Sequence, residues 1–140
     1  MNRYLLDSNV LMHVVNKASG YGLIESRLLS ARADTVLVSA VTVWEIFRAA
    51  EKGKVPVKAA KAALALISEF KAVPLTREAA ALGGSIWAKL AKIGLMIGER
   101  DSMIAGSAVA HGFTMVTDNT SEFGRVPGLV VENWRRPQVP

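Results

Sequence analysis

The sequence predicts an α/β fold with a mainly parallel central β-sheet flanked by α-helices. Short apolar segments rich in β-branched residues alternate with longer segments that carry apolar residues at helical spacing. Strands that alternate with helices in this way are typical of parallel sheets. The length of 140 residues suits one domain with a single core.

Five short apolar segments are predicted strands: residues 4–6, 35–38, 72–75, 113–117 and 129–131. The second is apolar and largely β-branched, which is typical of a strand buried on both faces. Pro74 cannot donate a backbone hydrogen bond, so the third strand is expected at an edge or a terminus.

The helices are predicted from apolar spacing and from residues that begin or end helices. They cover residues 10–15, 40–52, 57–71, 77–92 and 100–111. Ser39 and Thr76 are expected N-caps, and Gly53 and Gly112 are expected to end their helices. Residues 18–20 are expected to break the first helix, and residues 94–98 to form a loop.

Residues 1–134 are expected to form one domain, followed by a flexible tail at 135–140. There are no cysteines, which excludes disulfides and thiolate metal sites. No uninterrupted run of 18 apolar residues occurs, and Asp7 cuts the first apolar segment too early for a signal-peptide core. We therefore expect a cytoplasmic protein without membrane contact.

The charge balance favours a polyanionic partner if the acids cluster. Lys and Arg total 17 against 12 Asp and Glu, a net charge of +5. If Asp7, Glu45, Asp101, Asp118 and Glu122 share one cleft, the remaining surface is strongly basic, and it would attract nucleic acid while the cleft attracts a cation. Net charge alone favours the simpler interpretation, ordinary solubility charge.

Acidic and amide side chains follow the predicted strands at one edge of the sheet. Asp7 ends the first strand, and Asp118 and Asn119 end the fourth. Asp101 opens the preceding helix, and Glu45 lies about two turns into the helix after the second strand. Ligands of parallel α/β sheets bind outside the carboxyl ends of the strands, so these groups are candidates for one site.

Gathered carboxylates repel one another unless a cation neutralises them, and Mg²⁺ suits such oxygen ligands. Singly, each acid has a plainer explanation, because Asp7 and Asp101 also suit helix N-caps. Glu45 stands among apolar residues and needs a partner there. Their joint placement favours a metal site.

Four ordered motifs carry a resemblance to a known family. They are LDSNV at 6–10, SAVTVWEI at 39–46, DSMIA at 101–105 and VTDNTSEF at 116–123, followed by RVPGL and VENW near the end. Over essentially its whole length the sequence resembles PIN-domain ribonucleases, in particular VapC-type toxins of bacterial toxin–antitoxin pairs.

The resemblance implies a PIN-like fold and a Mg²⁺-dependent endoribonuclease, with Mn²⁺ as a possible substitute. Asp7, Glu45 and Asp101 match the metal-binding acids of the family. A metal-activated water would attack phosphorus in line and leave a 5′-phosphate and a 3′-hydroxyl. The family also implies an RNA substrate, a cognate antitoxin and a homodimer.

The fourth acidic position stays open among Asp118, Asn119 and Glu122. We favour Asn119 and Glu122 beside the metal as part of the catalytic set, with Asp118 pointing outward. Thr117 and Ser8 are expected to hydrogen-bond the carboxylates and fix their orientation.

A run of basic residues suggests a path for an RNA backbone beside the cleft, although a solvated helical face explains it equally well. Its members are Arg48, Lys52, Lys54, Lys58 and Lys61. His13 and His111 are expected to be structural, because nothing around them suggests an acid–base pair.

Three other classes fit less well. A phosphatase of the haloacid-dehalogenase type needs a second Asp two residues after the first, and Asn9 stands there. A receiver-type signalling module needs an acidic pair before its first-strand Asp, which is absent. A catalytically silent PIN-fold RNA- or protein-binding module is the remaining alternative, although the three core acids are intact.

Overall fold

The computed structural model describes residues 2–137 and contains a five-stranded, wholly parallel sheet in the order β3-β2-β1-β4-β5. The strands are β1 (Tyr4–Leu6), β2 (Val36–Ser39), β3 (Lys71–Val73), β4 (Thr114–Val116) and β5 (Val131–Glu132). This confirms the predicted α/β class and parallel sheet.

Helices connect the strands and cover both faces of the sheet. They are α1 (Ser8–Val15), α2 (Tyr21–Ser30), α3 (Ala40–Glu51), α4 (Val57–Ile67), α5 (Arg77–Lys92), α6 (Glu99–His111) and α7 (Thr120–Phe123). Successive side chains of a strand point to opposite faces, so Leu5 packs into one core cluster with Ile104 and Leu6 into the other with Trp134. Two layers of core thus enclose the central strands.

Position in the sheet explains the composition of the strands. Every residue of β2 is buried between its neighbours, as its apolar sequence predicts. Among the described residues β3 pairs only with β2 and lies at the edge of the sheet, as Pro74 directly after it predicted. The first strand matches its predicted bounds, and the ends of the other four differ from the prediction by one or two residues.

Two helices, α2 and α7, were not predicted. Gly20 was taken only as a break, but it adopts a left-handed conformation with φ of 87° and leads directly into α2. The backbone oxygen of Arg135 would lie only 2.5 Å from a Cβ at position 20. Both the left-handed conformation and this close approach therefore favour glycine. Ile24 then anchors α2 in the core.

Close packing between α5 and α6 fixes the start of α6. A Cβ at Gly83 of α5 would lie 2.7 Å from the backbone oxygen of Ser102. The absence of a side chain at Gly83 therefore lets the two helices approach closely, and it fixes the position of the neighbouring Asp101.

Arg135, the first residue of the predicted tail, makes several contacts. Its Nε donates to the Ser19 carbonyl at 2.8 Å and its Nη1 lies 2.9 Å from Asp118 Oδ2. Residues 138–140 lie outside the described part, so the domain limits and the flexibility of the tail stay predictions. Within residues 2–137, no helix is both long and apolar enough to cross a membrane.

Candidate metal centre

Asp7 is the most buried acid of the predicted site. It follows β1 directly, is 4% exposed and caps α1 by accepting the Ser8 backbone N–H at 2.8 Å. Its other oxygen accepts the Thr117 hydroxyl at 2.8 Å and the Asn9 amide at 3.2 Å. Burial raises the pKa of Asp7 although the Thr117 and Ser8 hydrogen bonds oppose the shift. These hydrogen bonds fix the direction of the carboxylate, and within residues 2–137 no ion pair is formed with it.

Glu45 reaches the same edge from α3, whose start is capped by the Ser39 hydroxyl. Arg100 Nε donates to Glu45 Oε2 at 3.2 Å, while Glu45 Oε1 is buried without a hydrogen-bond partner. Burial, followed by the charge of Asp7, raises the pKa of Glu45. A buried, unpartnered carboxylate oxygen is costly unless a ligand satisfies it.

Asp101 and Glu122 form a hydrogen-bonded pair across the cleft. Burial raises the pKa of Asp101 to about 7, and the charges of Asp7, Glu122 and Glu45 add to the shift. Burial also acts on Glu122, but its pKa is lowered overall by the Gly98 backbone N–H, the Asn119 amide and Asp101. Gly98 N–H lies 2.6 Å from Glu122 Oε1, and Asn119 Nδ2 lies 2.7 Å from Glu122 Oε2. The two shifts run in opposite directions, so Asp101 is the carboxyl of the pair that binds a proton more readily.

Asp118 has a different set of partners from these acids. Its carboxylate accepts the Asn133 amide at 3.1 Å and Arg135 at 2.9 Å, and His13 Nε2 lies 3.4 Å away. Burial alone would raise the pKa of Asp118, but these partners lower it overall. Asp118 thus belongs to a separate, neutralised cluster with His13, Asn133 and Arg135.

The structure brings Asp7, Glu45 and Glu122 close enough to Asp101 for their charges to raise its pKa, and it places the Asn119 amide against Glu122. Thr117 binds Asp7 as expected, and Ser8 does so through its backbone N–H. Their roles in binding a metal stay predictions.

Two residues of the site were not predicted from the sequence. Asn9 joins the two strand ends, since it donates to Asp7 and accepts the Asp118 backbone N–H at 3.2 Å. The position of Asn9, two residues after Asp7, could have indicated its role in the site. Nothing in the local sequence indicates the role of Arg100, because its partner Glu45 lies 55 residues earlier in the chain.

The predicted RNA-binding residues lie on the surface of the α3–α4 hairpin. Arg48, Lys52, Lys54, Lys58 and Lys61 are all exposed. Arg48 lies close enough to Glu45 for its charge to lower the pKa of that carboxyl. A role in RNA binding stays a prediction for all five.

The two histidines lie apart from the four clustered acids. His13 belongs to the cluster around Asp118, and His111 is exposed at the end of α6 with its ring 5.7 Å from that of Phe113. Neither occupies a position for acid–base work at the four acids.

The donor set fits a hard cation that keeps part of its water shell. A cavity of about 540 Å³ opens between α3 and α6, lined by Trp44, Glu45, Gly98, Glu99, Arg100, Asp101 and Met103. Within residues 2–137, no three acidic or histidine side chains stand close enough to form a complete ligand cage. Mg²⁺ needs no such cage, because one or two carboxylates, waters and substrate phosphate suffice. The unpartnered Glu45 Oε1 and the uncompensated Asp7 fit such an ion.

Residues 4–129 match the PIN domain family. The chain is 30% identical to the ribonuclease VapC2 of Rickettsia felis over 94% of this chain and 97% of that protein. It is 31% identical to the tRNA(fMet)-specific endonuclease VapC of Salmonella typhimurium over 96% of this chain and 99% of that protein.

Solved structures agree in fold. A chain of the DNA-bound VapBC complex from Salmonella typhimurium superposes with a TM-score of 0.81 at 32% identity, covering 96% of this chain and 99% of that one. A chain of VapBC2 from Rickettsia felis, bound to a promoter DNA fragment, gives 0.78 at 27% identity, covering 94% and 98%. With the domain match spanning nearly the whole chain, this protein belongs to the PIN-domain family and is of the VapC type.

Proposed function

We propose that this chain is a Mg²⁺-dependent endoribonuclease that hydrolyses RNA phosphodiester bonds as the toxin of a toxin–antitoxin pair. The observation that carries the proposal is the convergence of Asp7, Glu45, Asp101 and Glu122 at the carboxyl edge of the sheet, with too little positive charge to balance them. Relatives named as VapC ribonucleases support the nuclease reaction.

Asp7, Glu45 and Asp101 are the residues that would hold the ion. Bound there, Mg²⁺ (or Mn²⁺) would supply an activated water and stabilise charge on the phosphate. Thr117 and Asn9 hold the Asp7 carboxylate in one orientation, and Gly98 and Asn119 do the same for Glu122.

The proton on Asp101 links metal binding to pH. With a pKa of about 7, Asp101 keeps its proton in mildly acidic solution and must release it to bind a cation. Glu122 accepts the hydrogen bond from Asp101 and stays a carboxylate.

We further propose an antitoxin partner, a homodimer and a cytoplasmic location. Solved relatives are described as VapBC complexes, two of them with DNA, which supports an antitoxin that binds this chain. The exposed basic residues of the α3–α4 hairpin, Arg48 and Lys58 among them, would supply contacts to the RNA backbone.

The test incubates the purified chain with total cellular RNA and Mg²⁺ and sequences the new 5′-phosphate ends. The controls are EDTA and Asp7→Asn, which removes the charge while Asn still caps α1. Asp118→Asn serves as the matched variant at the neighbouring strand end.

We expect discrete cuts that disappear with EDTA and with Asp7→Asn but persist with Asp118→Asn. Cutting that survives both EDTA and Asp7→Asn would contradict the carboxylate–metal mechanism. Absence of cutting by a folded, metal-binding chain would favour the silent binding module instead.

A further inference from the structure

Trp44 is an aromatic side chain at the surface directly beside the acidic cleft. Its indole is 52% exposed, although Trp usually buries most of its surface. Trp44 precedes Glu45 on α3, and Arg100 precedes Asp101 on α6. The two helices thus present an aromatic and a cationic residue immediately next to two of the clustered acids.

Two guanidinium groups flank the exposed indole. The Arg48 guanidinium carbon lies 4.9 Å from the ring centroid of Trp44, and that of Arg100 lies 5.5 Å away. These cation–π contacts hold the indole in place and concentrate positive charge around an apolar surface. Such a combination suits a ligand with a flat aromatic part and an anionic part.

An apolar pocket opens at the same place. It measures about 340 Å³ and is lined by Ala40, Val41, Trp44, Arg100 and Met103. Its only charged lining residue is Arg100, which is held at Glu45 Oε2 by a 3.2 Å hydrogen bond. Trp44, Arg100 and Met103 also line the acidic cleft, so the two cavities adjoin.

We propose that this pocket binds one nucleobase of a single-stranded RNA, with the base packed on Trp44 and its phosphates near Arg48 and Arg100. The proposal rests on the proposed function, because it places that base next to the phosphodiester at the acidic cleft. Charge favours RNA over an apolar protein segment, since Glu45 already pairs with Arg100 but a segment without acids would cover the Arg48 guanidinium beside Trp44 without offering it an anion.

The base-stacking role distinguishes Trp44 from its neighbour Phe47. Phe47 lies on the same helix and is 48% exposed, but it does not line the pocket. Phe47→Ala is therefore a matched control for loss of an exposed aromatic side chain. Trp44→Phe keeps a stacking surface, and Trp44→Ala removes it.

The experiment measures binding of a labelled single-stranded RNA hexamer by fluorescence anisotropy in EDTA, where cleavage does not interfere. A hexamer with the same number of phosphates but with abasic sites is the second probe. We expect Trp44→Ala to weaken binding of the normal hexamer by about 5- to 100-fold. We expect Trp44→Phe to bind nearly as well as the unaltered chain, and both Phe47→Ala binding and abasic-probe binding to change little.

Equal binding by Trp44→Ala and the unaltered chain would overturn the proposal, and so would an equal loss in Phe47→Ala. Light scattering on the same variants tests a second copy as the occupant: a dimer that Trp44→Ala converts to a monomer would also overturn it. RNA cleavage that continues while Trp44→Ala binds normally would refute the base pocket alone. Normal Trp44-dependent binding without any metal-dependent cleavage would refute the nuclease function alone.

Discussion

Two aspartates, Asp7 and Asp118, end adjacent parallel strands and touch the same Asn9 side chain, yet they occupy opposite electrostatic environments. Asp7 is buried near Glu45, Asp101 and Glu122, and its pKa is raised. Asp118 is paired with Arg135 and Asn133, and its pKa is lowered. Position at a strand end therefore does not decide the charge environment of an aspartate: Asp118 forms an ion pair with Arg135, whereas Asp7 accepts hydrogen bonds from the neutral groups of Ser8, Asn9 and Thr117.

Replacing one acid in each environment gives the largest expected contrast. Asp101→Asn should lower RNA cleavage by more than about 100-fold, since losing even a partner of a metal ligand commonly costs about 10- to 100-fold. Asp118→Asn should change cleavage little, because Asp118 faces Arg135 rather than the cleft. Initial cleavage rates with saturating Mg²⁺ measure both, and a similar loss in both variants would contradict the distinction.

Removing the hydrogen bond that orients Asp7 should lower the rate of RNA cleavage by a smaller factor. Thr117→Val removes the hydroxyl that donates to Asp7 Oδ2 at 2.8 Å while keeping the shape of the side chain. We expect a loss of activity of about 10- to 100-fold. Thr117→Ser keeps the hydroxyl and should retain most activity, and equal rates for Val and Ser would show that orientation of Asp7 does not matter.

Stability of the metal-free chain should fall as pH rises. The folded pKa of Asp101 is about 7, above its ordinary value of 3.8, so between these values the folded state binds more protons than the unfolded state. The stabilisation is complete below about pH 4 and is lost as pH rises through about 7.

For a carboxyl partly open to solvent, we expect Asp101 to contribute about 1–2 kcal/mol to this pH dependence. Urea unfolding in EDTA at pH 5 and pH 8 measures it, with Asp101→Asn as the variant whose profile should be flatter. An unaltered chain whose stability rises from pH 5 to pH 8 would contradict the account.

The smallest effect is expected at the neutralised cluster. Arg135→Ala removes the ion pair to Asp118 and the hydrogen bond to the Ser19 carbonyl. Partly exposed pairs contribute little, so the free energy of unfolding should fall by about 1 kcal/mol with cleavage unchanged. Thermal unfolding and the cleavage assay measure the two quantities, and a large loss of activity at unchanged stability would place Arg135 in the catalytic site instead.

The sheet and the acids at its edge could be predicted because both depend on local patterns. Asp7 follows an apolar strand, and parallel strands bring their carboxyl ends together. Pro74 similarly identified an edge strand from its own chemistry. The family resemblance left the fourth position open among Asp118, Asn119 and Glu122, and only the folded chain shows that Asn119 contacts Glu122 while Asp118 contacts Arg135.

The parts that could not be predicted depend on partners distant in sequence. Arg100 pairs with Glu45, which lies 55 residues away in the sequence. Asp118 is neutralised by Arg135, from the C-terminal segment that follows β5. α2 was missed because a glycine such as Gly20 ends some helices and starts others, and here it adopts φ of 87° and leads into α2.

Titration calorimetry with Mn²⁺ at pH 7.5 tests most directly whether Asp7, Glu45 and Asp101 form the cation site. The unaltered chain and Asp118→Asn should bind the ion with similar affinity, and Asp101→Asn should lose measurable binding. Equal binding by Asp101→Asn, or loss of binding in Asp118→Asn, would contradict the assignment of the metal site to Asp7, Glu45 and Asp101.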